Sequence, residues 1–314
     1  MTDKIKNYEK EIDIKDLFLV LWRYKLVAIS ITLICAISSV FYAISLPNIY
    51  TSSAILTPAS SSNENNSIGS SLSQYSSLAN IAGVSLPSGT SGGTKLAVET
   101  IKSYSFLNHL ISNFSFVAPG LMASQNYDEL TKTLTFNPNI YDEVNDSWVR
   151  DAPKGKKKKP SYIEIHNSYM SALSVQEDLT TGFITITIQH ISPEFAHKLT
   201  SLIIQEINSV IKKKDVEESI KAIDFLEKRL LQTNEAELRI KISALIYNHL
   251  NTLMMADVKD DYILEVIDPS YIAEERTSPA RSIICIIGTL LGAILSSLFI
   301  ILYHYNFSKA SKEK

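Results

Sequence analysis

Apolar residues are concentrated in two long runs near the ends of the chain, and a mixed polar sequence separates them. The first run covers Leu26–Leu46 and the second covers Ser282–Tyr303, and neither contains a charged residue. At 1.5 Å per residue, each run is long enough as a helix to cross a hydrocarbon core of about 30 Å. The pattern predicts two transmembrane helices. A cleaved signal peptide for the first run and a buried core helix for the second are the less favoured alternatives.

The third pattern is a long stretch without helix breakers. No glycine or proline occurs between Pro193 and Pro269, and Ser192 with Pro193 forms a typical helix start. Apolar residues then recur every three or four positions, which predicts a helix over about 193–256, roughly 95 Å long. The polar interruptions Lys212–Asp215 and Gln232–Glu237 leave a second interpretation open, in which a turn joins two shorter helices.

A helix of that length is too long to be buried in a domain of this size, so its apolar stripe needs cover. The cover comes either from another part of this chain or from neighbouring subunits, and lateral oligomerisation is the interpretation that we favour. The candidate oligomer contacts on this helix are Val216, Ile220, Ile223, Leu226 and Leu230.

The remaining soluble sequence mixes strand and helix patterns. Lys95–Phe114 has the apolar spacing of an amphipathic helix, and Ser76–Leu86 is a candidate short helix. Alternating or β-branched stretches predict the strands 49–57, 162–165, 183–189 and 262–267. The expected fold class is therefore an α+β membrane protein, with two transmembrane helices flanking an α/β base domain that carries a very long extended helix.

Charge sets the expected orientation. Lys15, Arg23 and Lys25 are among the basic residues before the first run, and the next basic residue is Lys95. The positive-inside rule then places both termini in the cytoplasm and the large domain outside, which is the periplasm of a Gram-negative cell. The expected segments are a tail with an interfacial helix (1–25), the first span (26–46), a periplasmic domain (47–280), the second span (281–303) and a tail (304–314).

Small residues recur at four-residue spacing in both spans. The second span carries Gly288, Gly292 and Ser296, and the first carries Ala28, Thr32 and Ala36. Small residues at this spacing let two helix backbones approach closely in a membrane. We expect a helix contact here, either within one chain or between chains; a chance occurrence is the alternative.

The composition and motifs of the chain do not indicate a catalytic, metal-binding or nucleic-acid-binding site. The 314 residues have a formal net charge of -3, which does not suggest a nucleic-acid partner. Cys35 and Cys285 both lie inside apolar runs, and we find no metal, phosphate-loop or hydrolase motif. His190 and His197 flank the helix start, where a structural role is favoured over a catalytic one. We expect no enzyme activity and no cofactor. The cluster Lys154–Lys159 fits a solvated, mobile loop better than an anion-binding patch.

Taken in order, these segments resemble the Wzz-type polysaccharide co-polymerases, which determine the chain length of O-antigen and related bacterial surface polysaccharides. The resemblance rests on the tail Ile12–Lys25, the two terminal spans, and Ser77–Leu86. It also rests on the strand leading into the long helix and on the approach Ile267–Gly288 to the second span.

The resemblance implies protomers that stand side by side in a bell-shaped ring, often of eight, in the inner membrane. It also implies work with the O-antigen polymerase, contact with the nascent polysaccharide, and no catalytic site. Relatives that carry a cytoplasmic kinase domain fit less well, because the sequence ends at Lys314. The alternatives are a capsule or exopolysaccharide export adaptor of the same two-span plan and, ranked last, a receptor with a periplasmic sensor.

Overall fold

The computed structural model of the protein describes residues 22–59, 90–152, 154–178 and 180–310, without the side chains of 90–93 and 305–310. The helix expected over Ser76–Leu86 and nearly all of the interfacial helix expected before residue 25 lie outside the described residues. The chain divides into a small unit, Met1–Asn48 with Thr277–Lys314, and a large unit, Ile49–Arg276.

The small unit contains a pair of antiparallel apolar helices, α1 (Lys25–Ser45) and α8 (Arg281–Ala310). Both are long and apolar enough to cross a membrane, and they pack against each other along their lengths. This arrangement is consistent with a two-span topology in the inner membrane. We call α1 and α8 the span pair.

The large unit is built on a four-stranded antiparallel sheet. Strand β1 (Tyr50–Pro58) lies between β7 (Ile184–His190) and β8 (Leu264–Asp268), and β6 (Leu173–Glu177) pairs with the other edge of β7. Every second residue of β1 and of β7 is buried, because alternate side chains of a strand point to opposite faces. The strands expected near 49–57, 183–189 and 262–267 are confirmed.

In the described residues of the large unit, four shorter helices and two small hairpins accompany this sheet. The helices are α2 (Thr90–Lys102), α3 (Tyr104–Asn113), α4 (Val117–Ala123) and α5 (Tyr162–Ala172), and the hairpin strands are β2 (Ser124–Asp128), β3 (Thr133–Phe136), β4 (Tyr141–Asp142) and β5 (Ser147–Trp148). The helix expected over Lys95–Phe114 is thus two helices. Ser103 is extended and its hydroxyl accepts a hydrogen bond from the Phe106 N–H, so a new helix begins there.

The strand expected over Tyr162–Ile165 is wrong, because α5 begins at Tyr162. Ser161 and Glu164 form a capping box, in which the Ser161 hydroxyl accepts from the Glu164 N–H and the Glu164 carboxylate accepts from the Ser161 N–H. These two bonds satisfy orphan donors at the helix start, and they outweigh the β-branched residues that suggested a strand.

The long helix α6 (Pro193–Gln232) has 40 residues and begins at the predicted cap, where the Ser192 hydroxyl accepts from the Phe195 N–H. Its buried residues lie almost entirely between Pro193 and Ile211, where the helix packs on β1 and β7. The expected fold class is confirmed: a mixed helix and sheet protein with apolar helices at both ends and one long helix.

The single helix expected over 193–256 is wrong in its second part. Helix α6 ends at Gln232, residues 233–235 are not helical, and α7 (Ala236–Val258) returns antiparallel along α6. The break falls in the second polar interruption, where Thr233 and Asn234 are weak helix formers. A continuous helix would leave both apolar stripes in water, whereas the turn lets α7 cover part of α6. We call α7 and the part of α6 after Ile211 the helical hairpin.

A buried asparagine joins the return segment to α6. The Asn208 side-chain oxygen accepts from the N–H groups of Ile263 and Leu264, and its amide donates to the Leu264 carbonyl at 2.9 Å. Asn208 is 4% exposed, so these partners replace the water that its amide loses on burial. Asn208 therefore fixes where β8 begins relative to α6.

We predict that Asn208→Ala lowers the free energy of unfolding by about 1–3 kcal/mol, because two buried backbone groups and one half-buried group lose their partner. The measurement is denaturant unfolding of the full chain in mild detergent. Asn234→Ala, at an exposed position between α6 and α7, is the control and should be close to neutral. Equal stability of the two variants would contradict the role assigned to Asn208.

Candidate functional site

The three small residues predicted from their spacing, Gly288, Gly292 and Ser296, all lie against the first span. A Cβ atom added at Gly288 would lie 2.4 Å from the Ser39 Cβ, and one added at Gly292 would lie 2.6 Å from the Cys35 Cβ. The hydroxyl oxygens of Ser296 and Thr32 are 3.4 Å apart. The two backbones therefore approach closely along three successive turns of α8, within one chain.

The two ends of the span pair are also joined. Near the start of α8, the Arg281 guanidinium donates to the Asn48 side-chain oxygen at 3.0 Å. Near its other end, the rings of Tyr24 and Tyr303 meet edge to face, with 6.3 Å between their centres. The contact thus runs over nearly the full length of the first span. Its role in membrane packing stays a prediction, as does any contact of these residues between chains.

The helical hairpin is held together at its base by polar contacts. The Tyr262 hydroxyl donates to the Asp215 carboxylate at 2.9 Å, and the Lys212 ammonium donates to the Lys259 carbonyl at 3.1 Å. Burial raises the pKa of the Asp215 carboxyl, and the Tyr262 hydrogen bond opposes that rise. Further out, the Ser219 hydroxyl and the His249 ring nitrogen are 3.4 Å apart.

The five candidate oligomer contacts lie on this hairpin in two environments. Val216, Ile223, Leu226 and Leu230 are half-buried, whereas Ile220 is 55% exposed. Val216 lines a shallow groove of about 400 Å³ together with Leu253 and Met254 of α7. The structure describes a single chain, so their role between chains stays a prediction.

Much apolar surface of the hairpin faces solvent. Seven large apolar side chains are more than half exposed there: Ile220, Phe225, Leu231, Ile240, Tyr247, Met254 and Val258. An exposed apolar surface of this extent on a monomer is typical of an interaction site. The hairpin is therefore the strongest candidate for a contact surface in the large unit.

The histidines of the large unit act as individual structural links. His109 bonds Glu206 at 2.6 Å, His166 bonds the Lys102 carbonyl at 2.8 Å, and His197 bonds the Ser270 hydroxyl at 2.9 Å. Within the described residues, no group of three or more His, Cys, Asp or Glu side chains could hold a metal ion. The structure thus places His190 and His197 at the start of α6, each with its own structural contacts.

His190 is largely buried beside the Phe195 ring. Its Nε2–H donates to the Gly120 carbonyl at 3.0 Å, and its Nδ1 accepts from the Ser192 N–H at 3.1 Å. Desolvation lowers the pKa of His190 to about 4, so the ring is neutral at pH 7. Both nitrogens of the neutral His190 ring form hydrogen bonds, so this side chain has a structural role at the start of α6.

The lysine cluster Lys154–Lys159 is solvated but anchored. The Arg150 guanidinium donates to the carbonyls of Lys157 and Lys158 and to the Glu164 carboxylate, and it holds the pKa of Glu164 well below its usual range. The lysine side chains are exposed, apart from a bond between Lys156 and Glu164. Arg150 was not a candidate from sequence, because no spacing pattern links it to residues seven, eight and fourteen positions away. An anion-binding role for this loop stays a prediction.

Comparison with known protein families gives a match in the N-terminal third of the chain. A family model described as Wzz, chain length determinant protein, matches residues 10–114. Over these residues the chain is similar to the Wzz family. The resemblance inferred from sequence is thereby confirmed. The Wzz match includes the first apolar helix, strand β1 and the helices α2 and α3.

Solved structures give weaker likenesses. A full-length bacterial polysaccharide co-polymerase has 15% identity and a TM-score of 0.40, covering 94% of this chain and 99% of its own. A fragment of WzzB, the polysaccharide co-polymerase from Salmonella Typhimurium, has 13% identity and a TM-score of 0.29, covering 74% of this chain and 100% of its own. No curated protein sequence matches the chain.

We predict that Gly288→Leu lowers the melting temperature of the detergent-solubilised chain, because the added side chain forces α8 away from Ser39. Ala293→Leu is the matched control: it makes the same kind of enlargement on the exposed face of α8. Melting followed by loss of monodisperse protein is the measurement. The assigned contact would be refuted if both variants melted at the wild-type temperature.

A pH effect follows from His190. Its pKa is about 4 in the folded chain and about 6.5 when unfolded, so between these values the unfolded state binds more protons. The stability that a neutral His190 contributes is present above pH 6.5 and is lost as the pH falls towards 4. The advantage of wild type over His190→Gln, measured by denaturant unfolding, should shrink by up to about 3 kcal/mol over that range. A difference that stays constant with pH would contradict this assignment.

Proposed function

We propose that this protein regulates the chain length of a bacterial surface polysaccharide, namely the O-antigen of lipopolysaccharide, as an oligomeric scaffold that acts with the polymerase. The match of residues 10–114 to the Wzz chain length determinant family carries this proposal. The order of elements supports it, since apolar helices at both ends flank a large unit from which a helical hairpin extends.

The scaffold part of the proposal rests on the exposed apolar side chains of the hairpin. Burying one such side chain contributes about 1.5–3 kcal/mol, whereas association costs at least several kcal/mol of lost freedom. One isolated contact is therefore too weak, but seven side chains spread over the hairpin can together offset the cost. Copies of the same chain, fixed in one membrane and standing side by side, would bring these surfaces together repeatedly.

In this proposal the large unit lies in the periplasm and both termini lie in the cytoplasm, as the basic residues before the first span suggest. The protein performs no bond-making step itself. It biases when the polymerase stops by the geometry of the assembly near the growing, lipid-linked chain. A ring of eight protomers is one expected form of that assembly.

The direct test is deletion of the gene in its native host, followed by electrophoresis of the lipopolysaccharide. We expect the band pattern to lose its preferred length while polymer remains on the surface. An unchanged pattern would refute the proposal. Loss of all surface polymer with no change in length would instead indicate an export adaptor.

Complementation of that strain tests the scaffold. Wild type and the control Glu218→Lys should restore the preferred length, whereas Ile220→Lys should not, because a charge at this 55% exposed apolar position would be buried between protomers. The detergent-solubilised complexes of wild type and Glu218→Lys should have the full mass, whereas that of Ile220→Lys should be smaller. Restored length and full complex mass with Ile220→Lys would argue against the hairpin surface.

A further inference from the structure

One hairpin tip of the large unit presents an almost fully exposed leucine. Leu130, between β2 and β3, is 94% exposed. The turn is fixed: the Asp128 carboxylate accepts from the Leu130 N–H at 2.9 Å and from the Thr131 hydroxyl at 2.8 Å. These bonds lower the pKa of Asp128, the Thr131 bond most. The turn therefore holds the leucine outward, where it gains nothing from the folded chain.

This tip is tied to the first strand. The Tyr50 hydroxyl donates to the Glu129 carboxylate, and the rings of Tyr50 and Tyr127 meet edge to face with 5.9 Å between their centres. The Tyr127 hydroxyl in turn donates to Glu194, in the first turn of α6, at 2.7 Å. The β2–β3 tip thus belongs to the end of the large unit at which β1 and α6 begin.

Two further exposed apolar residues lie at the same end. The Ser52 hydroxyl of β1 donates to the Tyr271 carbonyl at 2.8 Å, and the Tyr271 side chain is 56% exposed. The neighbouring Ile272 is 48% exposed. The β2–β3 tip with Leu130 and the segment with Tyr271 and Ile272 are thus both bonded to the first residues of β1. We call Leu130, Tyr271 and Ile272 the apolar rim.

Short segments of sequence connect this end to the two apolar runs. Tyr50 is the fourth residue after Leu46, where the first apolar run stops, and four residues reach at most about 14 Å. On the other side, Tyr271 is ten residues before Arg281, where α8 begins. The chain thus enters the unit at the end that carries the rim, and it leaves the unit within ten residues of Tyr271, which is why a membrane contact of the rim is considered.

We propose that the apolar rim inserts into the headgroup layer of the bilayer, with Leu130 as the deepest side chain. A tyrosine and aliphatic residues beside charged groups fit that layer, where one end of a side chain is apolar and the other is hydrated. The two carboxylates Glu129 and Glu194 at this end each accept a hydrogen bond from a tyrosine hydroxyl. The large unit then has a third contact with the membrane besides its two connections. This inference does not depend on the polysaccharide.

The test uses the full chain with Cys35 and Cys285 replaced by alanine, carrying a nitroxide label at Leu130→Cys. The control label is Lys221→Cys, an exposed position about 42 Å along α6 from its first residue. The proteins are reconstituted in phosphatidylethanolamine and phosphatidylglycerol vesicles. Collision of each label with oxygen, which partitions into lipid, is compared with its collision with a water-soluble nickel complex.

Insertion predicts an oxygen-to-nickel collision ratio at position 130 severalfold above that at position 221. The same ratio at both positions would mean that Leu130 faces water, and it would overturn the proposal. An immobilised label at position 130 with few collisions of either kind would mean contact with protein, from a second copy or another partner, and it would overturn the proposal as well. Because Leu130 is 94% exposed, the substitution should leave the fold intact, and an unchanged elution profile checks this.

Discussion

Burial of the first half of α6 against the four-stranded sheet is the contact on which the other features of the large unit depend. Residues Pro193–Ile211 supply nearly all the buried positions of this helix, and they meet the buried faces of β1 and β7. Each fully buried isoleucine or leucine contributes about 1.5–3 kcal/mol. The packing of residues Pro193–Ile211 thereby sets the direction of α6, so the later turns of this helix extend beyond the sheet into solvent.

The outer turns of α6 explain why the chain turns back. A projecting apolar stripe is unfavourable in water, and α7 removes part of it by packing antiparallel from Ala236 to Val258. The cover is incomplete, because α7 brings exposed apolar residues of its own. In the span pair, Gly288, Gly292 and Ser296 of α8 allow the two helix backbones to approach closely. Between helices in a lipid bilayer there is no hydrophobic driving force, so close packing of this kind is what favours their association.

Patterns of period two and period 3.6 were enough to predict the two apolar helices, three of the four sheet strands and the start of α6 at Ser192. The Wzz resemblance followed from the order of these segments. Three features could not be decided from such patterns. The residues Tyr162–Ile165 form a helix and not the expected strand, because of a capping box. The end of α6 was left open between one long helix and two helices joined by a turn, because it depends on cover by α7. Asn208 and Arg150 bond residues far from any sequence motif. The contact of Gly288 with Ser39 was suggested by spacing, but its partner helix was left open.

The most direct test of this account is the distance between nitroxide labels at Glu218 and Leu250, with Cys35 and Cys285 replaced and labelled chain diluted in unlabelled chain. Both positions are exposed, and they flank the Ser219–His249 contact. A hairpin with packed helix axes about 10 Å apart predicts a short distance within one chain. One continuous helix would place the labels about 48 Å apart, and that result would contradict the account.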